Sequence, residues 1–125
     1  MLKKIICPET NSLRKALKII DKNALGVCFI IDKNKKLIGI LTDGDIRRAL
    51  LSNAHLDSNV KDHMNNKFLS LPIDSDINLV NKYLQKKKYK VIPLCNNKGE
   101  IVDFANRDHL RSIQVLSPSL VGNEL

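Results

Sequence analysis

The residues whose types and spacing could do chemistry lie together in residues 39–51, which read GILTDGDIRRALL. A mostly apolar stretch, predicted to be a strand, ends at Thr42, and the apolar residues after Asp45 recur at helical spacing. Backbone N–H groups at the start of a helix have no partner within the helix, and the helix dipole favours anions there. A hydroxyl, free amides and a carboxylate at this junction could bind the ribose and phosphate of a nucleotide.

The elements that position this segment recur after 64 residues. Hydrophobic periodicity predicts the order strand, helix, strand, strand, helix twice. The predicted bounds are 4–7, 12–22, 27–31, 37–41 and 46–52 in the first half, and 68–73, 76–84, 91–95, 101–105 and 107–114 in the second. Adding 64 superposes Pro8 on Pro72 and Val27 on Val91 without a gap. This internal duplication predicts a mixed α/β (α+β) fold, in which two β-α-β-β-α units pack about a pseudo-twofold axis.

The predicted domain boundaries follow from the repeat. We expect the first unit at 1–58, the second at 59–116, and a linker or tail at 117–125. The connector includes VKDHM at 60–64, for which we predict a short helix. Thr10 or Asn11 could cap the first long helix.

A family resemblance rests on these residues. Gly39, Thr42 and Asp45 fit the pattern G-x-x-T-x-x-D, in which an apolar strand is followed by an apolar helix. With the β-α-β-β-α repeat, this pattern resembles the CBS domain, named for cystathionine β-synthase, and two copies in tandem resemble a Bateman module. Residues 60–64 resemble the segment that usually opens a second copy.

A narrower resemblance concerns the enzyme that such a module serves. The string TDGDIRRALL is similar to the CBS pairs that precede bacterial sugar-phosphate nucleotidyltransferase domains. A closely related string occurs in the CBS pairs of sugar-phosphate isomerases. Residues 89–94 and 99–102 favour the nucleotidyltransferase association. The resemblance implies a regulatory piece that is not itself an enzyme and that controls a tethered or partner nucleotidyltransferase domain. A regulatory module of a sugar-phosphate isomerase is the alternative.

The resemblance also implies roles for individual residues. It assigns a ligand phosphate to Thr42 and the ribose hydroxyls to Asp45, and a carboxylate suits two adjacent hydroxyls because its two oxygens can accept from both. It places the nucleotide base in an apolar slot. The candidate residues of this slot could equally well belong to the hydrophobic core. Those residues are Ile6 or Cys7, with Leu25, Gly26 and Val27. The implied ligand is AMP, ADP or ATP, and no metal or other cofactor is required.

Charged neighbours of this motif allow two interpretations. Asp43 and Arg47 are four residues apart, and Asp45 and Arg48 are three apart, so both pairs could brace the helix. Cations in a first turn oppose the helix dipole, however, and an anionic ligand or a partner subunit would relieve that repulsion. We therefore keep Asp43 and Arg48 as candidate ligand contacts.

The corresponding positions of the second unit depart from the pattern. Superposition without a gap sets Asn106 on Thr42 and His109 on Asp45, and imidazole cannot accept from two hydroxyls. A shift of one residue brings Asp108 to the aspartate position but puts Ala105 where Thr42 stands. We predict one competent site and a second that is weak, altered or empty.

Composition limits the remaining function classes. The chain has 125 residues, is 43% hydrophobic and carries a net charge of +8. Aromatic residues are only 4%, so stacking platforms for nucleic acid are scarce, and we interpret the lysine run at 86–90 as solvated surface. Nucleic acid is therefore an unlikely partner.

The cysteines and the N-terminus predict where the protein resides. Cys7, Cys28 and Cys95 are an odd number without C-x-x-C spacing, which is typical of buried small side chains in a reducing cytoplasm. The apolar part of the N-terminus is too short for a signal peptide, and no apolar run has membrane-spanning length.

The favoured function is a ligand-sensing module that forms a homodimer and needs no membrane. Three rivals stay open. They are an enzyme that binds a metal at Asp43-Gly44-Asp45, a nucleic-acid binder that uses residues 86–90, and a structural dimerisation domain with an empty cleft.

Overall fold

A computed structural model describes residues 2–86 and 88–107. After a 3-10 turn at Leu2–Lys4, the first unit has the predicted order of elements. These are β1 (Ile6–Pro8), α1 (Leu13–Asn23), β2 (Val27–Ile31), β3 (Leu37–Thr42) and α2 (Asp43–Leu51). Ser12 caps α1, because its side chain accepts a hydrogen bond from Lys15 N at 3.2 Å. The expectation of a cap at Thr10 or Asn11 was therefore wrong by one or two residues.

The second unit repeats this order as far as the structure describes it. Its elements are β4 (Leu71–Pro72), α3 (Ile77–Leu84), β5 (Ile92–Cys95) and β6 (Ile101–Ala105). The helix predicted at 107–114 lies, after its first residue, outside the described residues. A 3-10 turn at Val60–Asp62 stands where the short connector helix was predicted.

Each unit contains one three-stranded sheet of the same topology. The first two strands are parallel and the last two are antiparallel, in the orders β1-β2-β3 and β4-β5-β6. The antiparallel register shifts between Ile30 and Ile31 in the first sheet, and between Leu94 and Cys95 in the second. The two shifts are 64 residues apart, so the duplication extends to the irregularities of the sheets.

The hairpin turns of the two units repeat in the same way. The Asp32 carboxylate accepts from Asn34 N and Lys36 N, and Asn96 Oδ1 accepts from Lys98 N and Glu100 N. The positive φ of this turn, 66° at Lys35, recurs as 81° at Gly99. Asp and Asn suit this position because their side chains bond the backbone of their own turn.

The apolar residues form three clusters. One lies between α1, α2 and the first sheet, and another lies between α3 and the second sheet. The third lies between the units, where the fully buried rings of Phe29 and Phe104 meet edge to face with centroids 6.4 Å apart. Leu37 N also donates to Gly99 O across this interface at 3.0 Å. The units therefore share a core, as the repeat predicts.

The connector packs on the first unit. Leu13 N donates to Ser58 O at 2.9 Å, and Val60 N donates to Asn11 O at 3.0 Å. Val60 is fully buried in the first cluster. The connector is thus held along one unit before the chain enters the other, and the boundary at 58/59 stays a prediction.

The first strand of each unit is shorter than predicted. Residues 2–4 form a turn that Ile5 N closes on Leu2 O at 3.0 Å, so they do not join β1. In the second unit Leu71 and Pro72 form β4 beside β5, Ile73 N donates to Cys95 O at 2.8 Å, and residues 68–70 line cavities. Within residues 2–86 and 88–107, none of the helices combines the length and the apolar character needed to span a membrane.

Candidate functional site

The junction of β3 and α2 is a capping box. Asp45 N donates to Thr42 Oγ1 at 3.0 Å, and Thr42 N donates to Asp45 Oδ2 at 3.0 Å. A Thr followed three residues later by an acid is the sequence signature of this arrangement, and it explains why the helix begins here. Asp43 N donates to Gly26 O at 3.0 Å. Two amides that we expected to be free for a ligand therefore already have acceptors.

The Asp45 carboxylate is occupied on both oxygens. Its Oδ1 accepts from Arg48 Nη2 at 2.8 Å, while Oδ2 accepts from Thr42 N. Partial burial alone would raise the pKa of Asp45, but the hydrogen bonds from Thr42 and Arg48 outweigh it and lower the pKa. The side chain is 28% exposed, and a carboxylate has further lone pairs, so it has the capacity to accept hydrogen bonds from ribose hydroxyls as well.

The arginines of α2 brace the helix. Arg48 pairs with Asp45, and Arg47 Nη1 lies 4.0 Å from Asp43 Oδ2. Both carboxylates of the Asp43-Gly44-Asp45 segment are thus already paired with cations. No group of three or more His, Cys, Asp or Glu side chains could hold a metal ion in the described part of the chain.

A cavity of about 590 Å³ opens between the two units, beside this junction. This size suits a small ligand. Its wall from the first unit consists of Leu25, Gly26, Val27, Ile40, Thr42, Asp43 and Gly44. The opposite wall comes from the connector and from the segment before β5, namely Asn65, Lys67, Phe68, Leu69, Lys88, Tyr89, Lys90 and Val91.

Five of the candidate ligand contacts line this cavity, namely Leu25, Gly26, Val27, Thr42 and Asp43. Cys7, Asp45 and Arg48 are not among its lining residues. Cys7 is fully buried in the cluster under α1, with its Sγ 3.7 Å from Asn11 Nδ2. Its assignment to the base slot is corrected, because the side chain of Cys7 has no exposed surface that could touch a ligand.

Sequence reasoning missed the lysines of the cavity. Lys88 and Lys90 come from the run that we interpreted as solvated surface, and Lys67 comes from the connector. The signal was present in the repeat, because adding 64 to the predicted slot residues Leu25 to Val27 gives Tyr89 to Val91. The segment opposite the slot could therefore have been assigned from the duplication.

The second predicted site is described only at its edge. Asn106 follows β6 as Thr42 ends β3. Asp108 and His109 lie outside the described residues, so the weak or altered second site stays a prediction.

Comparison with known proteins supports the fold and part of the family resemblance. Residues 1–52 match the CBS domain family. A probable arabinose 5-phosphate isomerase of Haemophilus influenzae is 30% identical over 99 residues, which cover 78% of this chain and 29% of that protein. Arabinose 5-phosphate isomerase GutQ of Escherichia coli is 26% identical over 97 residues, covering 78% of this chain and 30% of that protein. The chain thus spans less than a third of each relative.

These relatives support the isomerase alternative better than the favoured nucleotidyltransferase association. Both carry the name of a sugar-phosphate isomerase. The nucleotidyltransferase expectation rested on the string TDGDIRRALL together with residues 89–94 and 99–102 of the second half.

Three solved structures share the fold. A putative acetoin utilization protein (AcuB) from Vibrio cholerae has a TM-score of 0.79 at 20% identity, covering 94% of this chain and 87% of that one. CBSX2, a CBS-pair protein from Arabidopsis thaliana, was solved in complex with AMP and has a TM-score of 0.74 at 18% identity, covering 92% of each chain. The CBS domain pair of MJ0100, in complex with 5-methylthioadenosine and S-adenosyl-L-methionine, has a TM-score of 0.71 at 22% identity, covering 87% of this chain and 89% of that one.

The repeat, the paired sheets and the family match agree. Residues 1–52 match the CBS domain family, and the chain has the fold of solved CBS-domain pairs.

Proposed function

We propose that this chain is a regulatory module that binds an adenine nucleotide in the cavity between its two units. The observation that carries the proposal is the composition of that cavity. Apolar side chains of Leu25, Val27 and Val91 lie in the same 590 Å³ space as a hydroxyl, a carboxylate and three lysines. A nucleotide presents the matching groups, namely a flat base, a ribose with adjacent hydroxyls, and phosphate.

Named groups would meet the parts of the ligand. The Thr42 hydroxyl accepts from Asp45 N, so its own proton is available to a phosphate oxygen. The Asp43 carboxylate lines the cavity and can accept from hydroxyls. Asp45 remains a proposed ribose contact through its unused lone pairs, in addition to its role in the capping box.

Solved CBS pairs of the same fold support an adenosine-containing ligand. CBSX2 binds AMP, and MJ0100 binds S-adenosyl-L-methionine and 5-methylthioadenosine. We carry this ligand class over to the present chain because its cavity offers an apolar slot beside polar groups.

Regulation would follow from the position of the cavity. Its walls belong to both units, so a ligand that fits one arrangement of the units better than another shifts the population toward that arrangement. We propose that the enzyme which responds is a sugar-phosphate isomerase, on the strength of the two relatives.

A thermal-shift experiment tests the ligand proposal. AMP, ADP, ATP and S-adenosylmethionine are titrated, and at least one should raise the melting temperature, because a ligand that binds only the folded state stabilises it. Leu25→Trp should abolish the rise, because an indole would fill the slot. Leu56→Trp is the matched control, since Leu56 is also half-buried but lines a different groove. Equal rises in both variants would refute this location.

A separate measurement tests the proposed enzyme. Protein immunoprecipitated from its native cells should carry arabinose 5-phosphate isomerase activity that changes when nucleotide is added. Recovery of the protein without such activity, or with activity that ignores nucleotide, would contradict the assignment.

A further inference from the structure

The cavity between the units carries a local excess of positive charge. Three lysines line it, Lys67, Lys88 and Lys90, against the single carboxylate of Asp43. That carboxylate also has a cation nearby, because Arg47 Nη1 lies 4.0 Å from it.

Among the described residues, none of the ion pairs joins these lysines to a carboxylate. The Lys88 ammonium instead lies 5.5 Å from the ring centroid of Tyr89, where the negative face of the ring attracts a cation. Because like charges gathered around one space repel one another, a polyanion placed among them would relieve that repulsion.

Two further cavities lined by described residues show that this excess is local. A cavity of about 790 Å³ beside β4 has Asp74 as its only charged lining residue. A groove of about 720 Å³ along α1 has two cations, Arg14 and Lys18, balanced by two carboxylates, Asp21 and Asp43. The chain is basic overall, but only the cavity between the units has an unbalanced cluster of cations among these three.

We infer that this cavity selects nucleoside di- and triphosphates over nucleoside monophosphates and over S-adenosylmethionine. The inference rests on the proposed function and names the ligand class of the same site. A triphosphate carries about four negative charges and a monophosphate about two, so a third lysine attracts the longer phosphate chain more strongly. The sulfonium of S-adenosylmethionine is itself a cation, and the lysines repel it.

The positions of the lysines decide which of the two units a bound phosphate chain contacts. Thr42 and Asp43 belong to the first unit, whereas Lys67 lies in the connector and Lys88 and Lys90 lie in the second unit. A nucleotide with one phosphate has its polar contacts at Thr42 and Asp43 of the first unit and reaches the second unit at Val91. A polyphosphate that also reaches the lysines makes further contacts with the second unit, and so it can bias the packing of the units more strongly.

Isothermal titration calorimetry tests the selection. ATP, ADP, AMP, S-adenosylmethionine and inorganic tripolyphosphate are titrated without Mg²⁺, which would mask phosphate charge. We expect ATP to bind about tenfold or more tightly than AMP. We also expect ATP affinity to fall more steeply with added NaCl than AMP affinity, because each exposed charge pair is screened.

Two matched double variants assign the effect to the cavity. Lys88→Gln with Lys90→Gln should bring ATP and AMP to within about threefold, because the charge that distinguishes them is gone. Lys33→Gln with Lys98→Gln removes the same charge from exposed turns outside this cavity and should preserve the difference.

The outcomes separate this inference from the proposed function. Equal affinity for ATP and AMP, or a difference that survives removal of Lys88 and Lys90, overturns the inference and leaves nucleotide binding intact. Tripolyphosphate that binds as tightly as ATP overturns it as well, because the nucleoside would then contribute nothing. Absence of binding by every adenosine compound overturns the proposed function itself.

Discussion

At the scale of residues, Thr42 and Asp45 have a structural role that is complete without a ligand. Each caps the other at the start of α2, and Arg48 holds the remaining carboxylate oxygen. The same two residues fit the G-x-x-T-x-x-D pattern, and we propose that they also contact the ligand. A substitution at Asp45 therefore changes stability and binding together, and an experiment has to separate the two effects.

Asp45→Asn should destabilise the protein in a pH-dependent way. The pKa of Asp45 is lowered in the folded state, so the carboxylate contributes stability above its unfolded pKa of about 3.9 and loses it as the pH falls toward the folded pKa. We expect a loss of about 0.3–1 kcal/mol in the free energy of unfolding at neutral pH. Urea denaturation of both proteins at neutral pH and at about pH 3 measures it, and the difference should shrink at the lower pH.

Asp74→Asn is the control for this prediction, because Asp74 is exposed and lies away from α2. A penalty at Asp45 that is the same at both pH values would show that the charge is not its cause. In the thermal-shift experiment, loss of nucleotide stabilisation in Asp45→Asn, but not in Asp74→Asn, would support the ribose contact.

At the scale of elements, the connector is held against β3 by close packing. Ile40 and Asn65 exchange backbone hydrogen bonds of 2.8 and 2.9 Å, and Met64 packs over Gly39. A Cβ at position 39 would collide with the Met64 side chain. The glycine of the G-x-x-T-x-x-D pattern is thus required here by the connector, which forms part of the cavity.

Gly39→Ala should lower the free energy of unfolding by about 1–3 kcal/mol, because the added methyl overpacks this contact. Met64→Ala in the same chain should remove the clash, so the double variant should lose less stability than the sum of the single losses. Gly44→Ala is the control, since its methyl would meet only the flexible end of Arg48. Additive losses at positions 39 and 64 in urea denaturation would contradict this account of the contact.

At the scale of the whole molecule, the two units depend on a shared layer of apolar side chains. The first sheet packs α1 and α2 on one face, the second sheet packs α3 on one face, and the opposite faces of the two sheets pack together. The cluster between the sheets contains the two largest fully buried side chains, Phe29 and Phe104. The units should therefore unfold as one cooperative system. Dimerisation of the chain stays a separate prediction, to be tested by analytical ultracentrifugation.

Phe104→Ala should cost about 3–5 kcal/mol, because it leaves a cavity between the sheets. The same loss in the free energy of unfolding should be measured by tyrosine fluorescence, which reports on the second unit, and by hydrogen exchange of α1 amides in the first unit. Phe104→Leu keeps most of the volume and serves if the alanine variant does not fold. Val102→Ala on the same strand is the control, because Val102 is 41% exposed. Destabilisation confined to the second unit would contradict the shared core.

The sequence by itself determined the repeat and the order of elements, and it contained the signature of the cap on α2. These features are local or periodic: the apolar spacing, the turns led by Asp32 and Asn96, and the threonine before an acidic first turn are all visible in short windows. Only the tertiary structure decided which side chains reach the cavity. It buried Cys7 under α1 and brought Lys67, Lys88 and Lys90 opposite Thr42. The reason is that a cavity between two packed units is built from residues far apart in the chain, and their meeting depends on how the sheets pack.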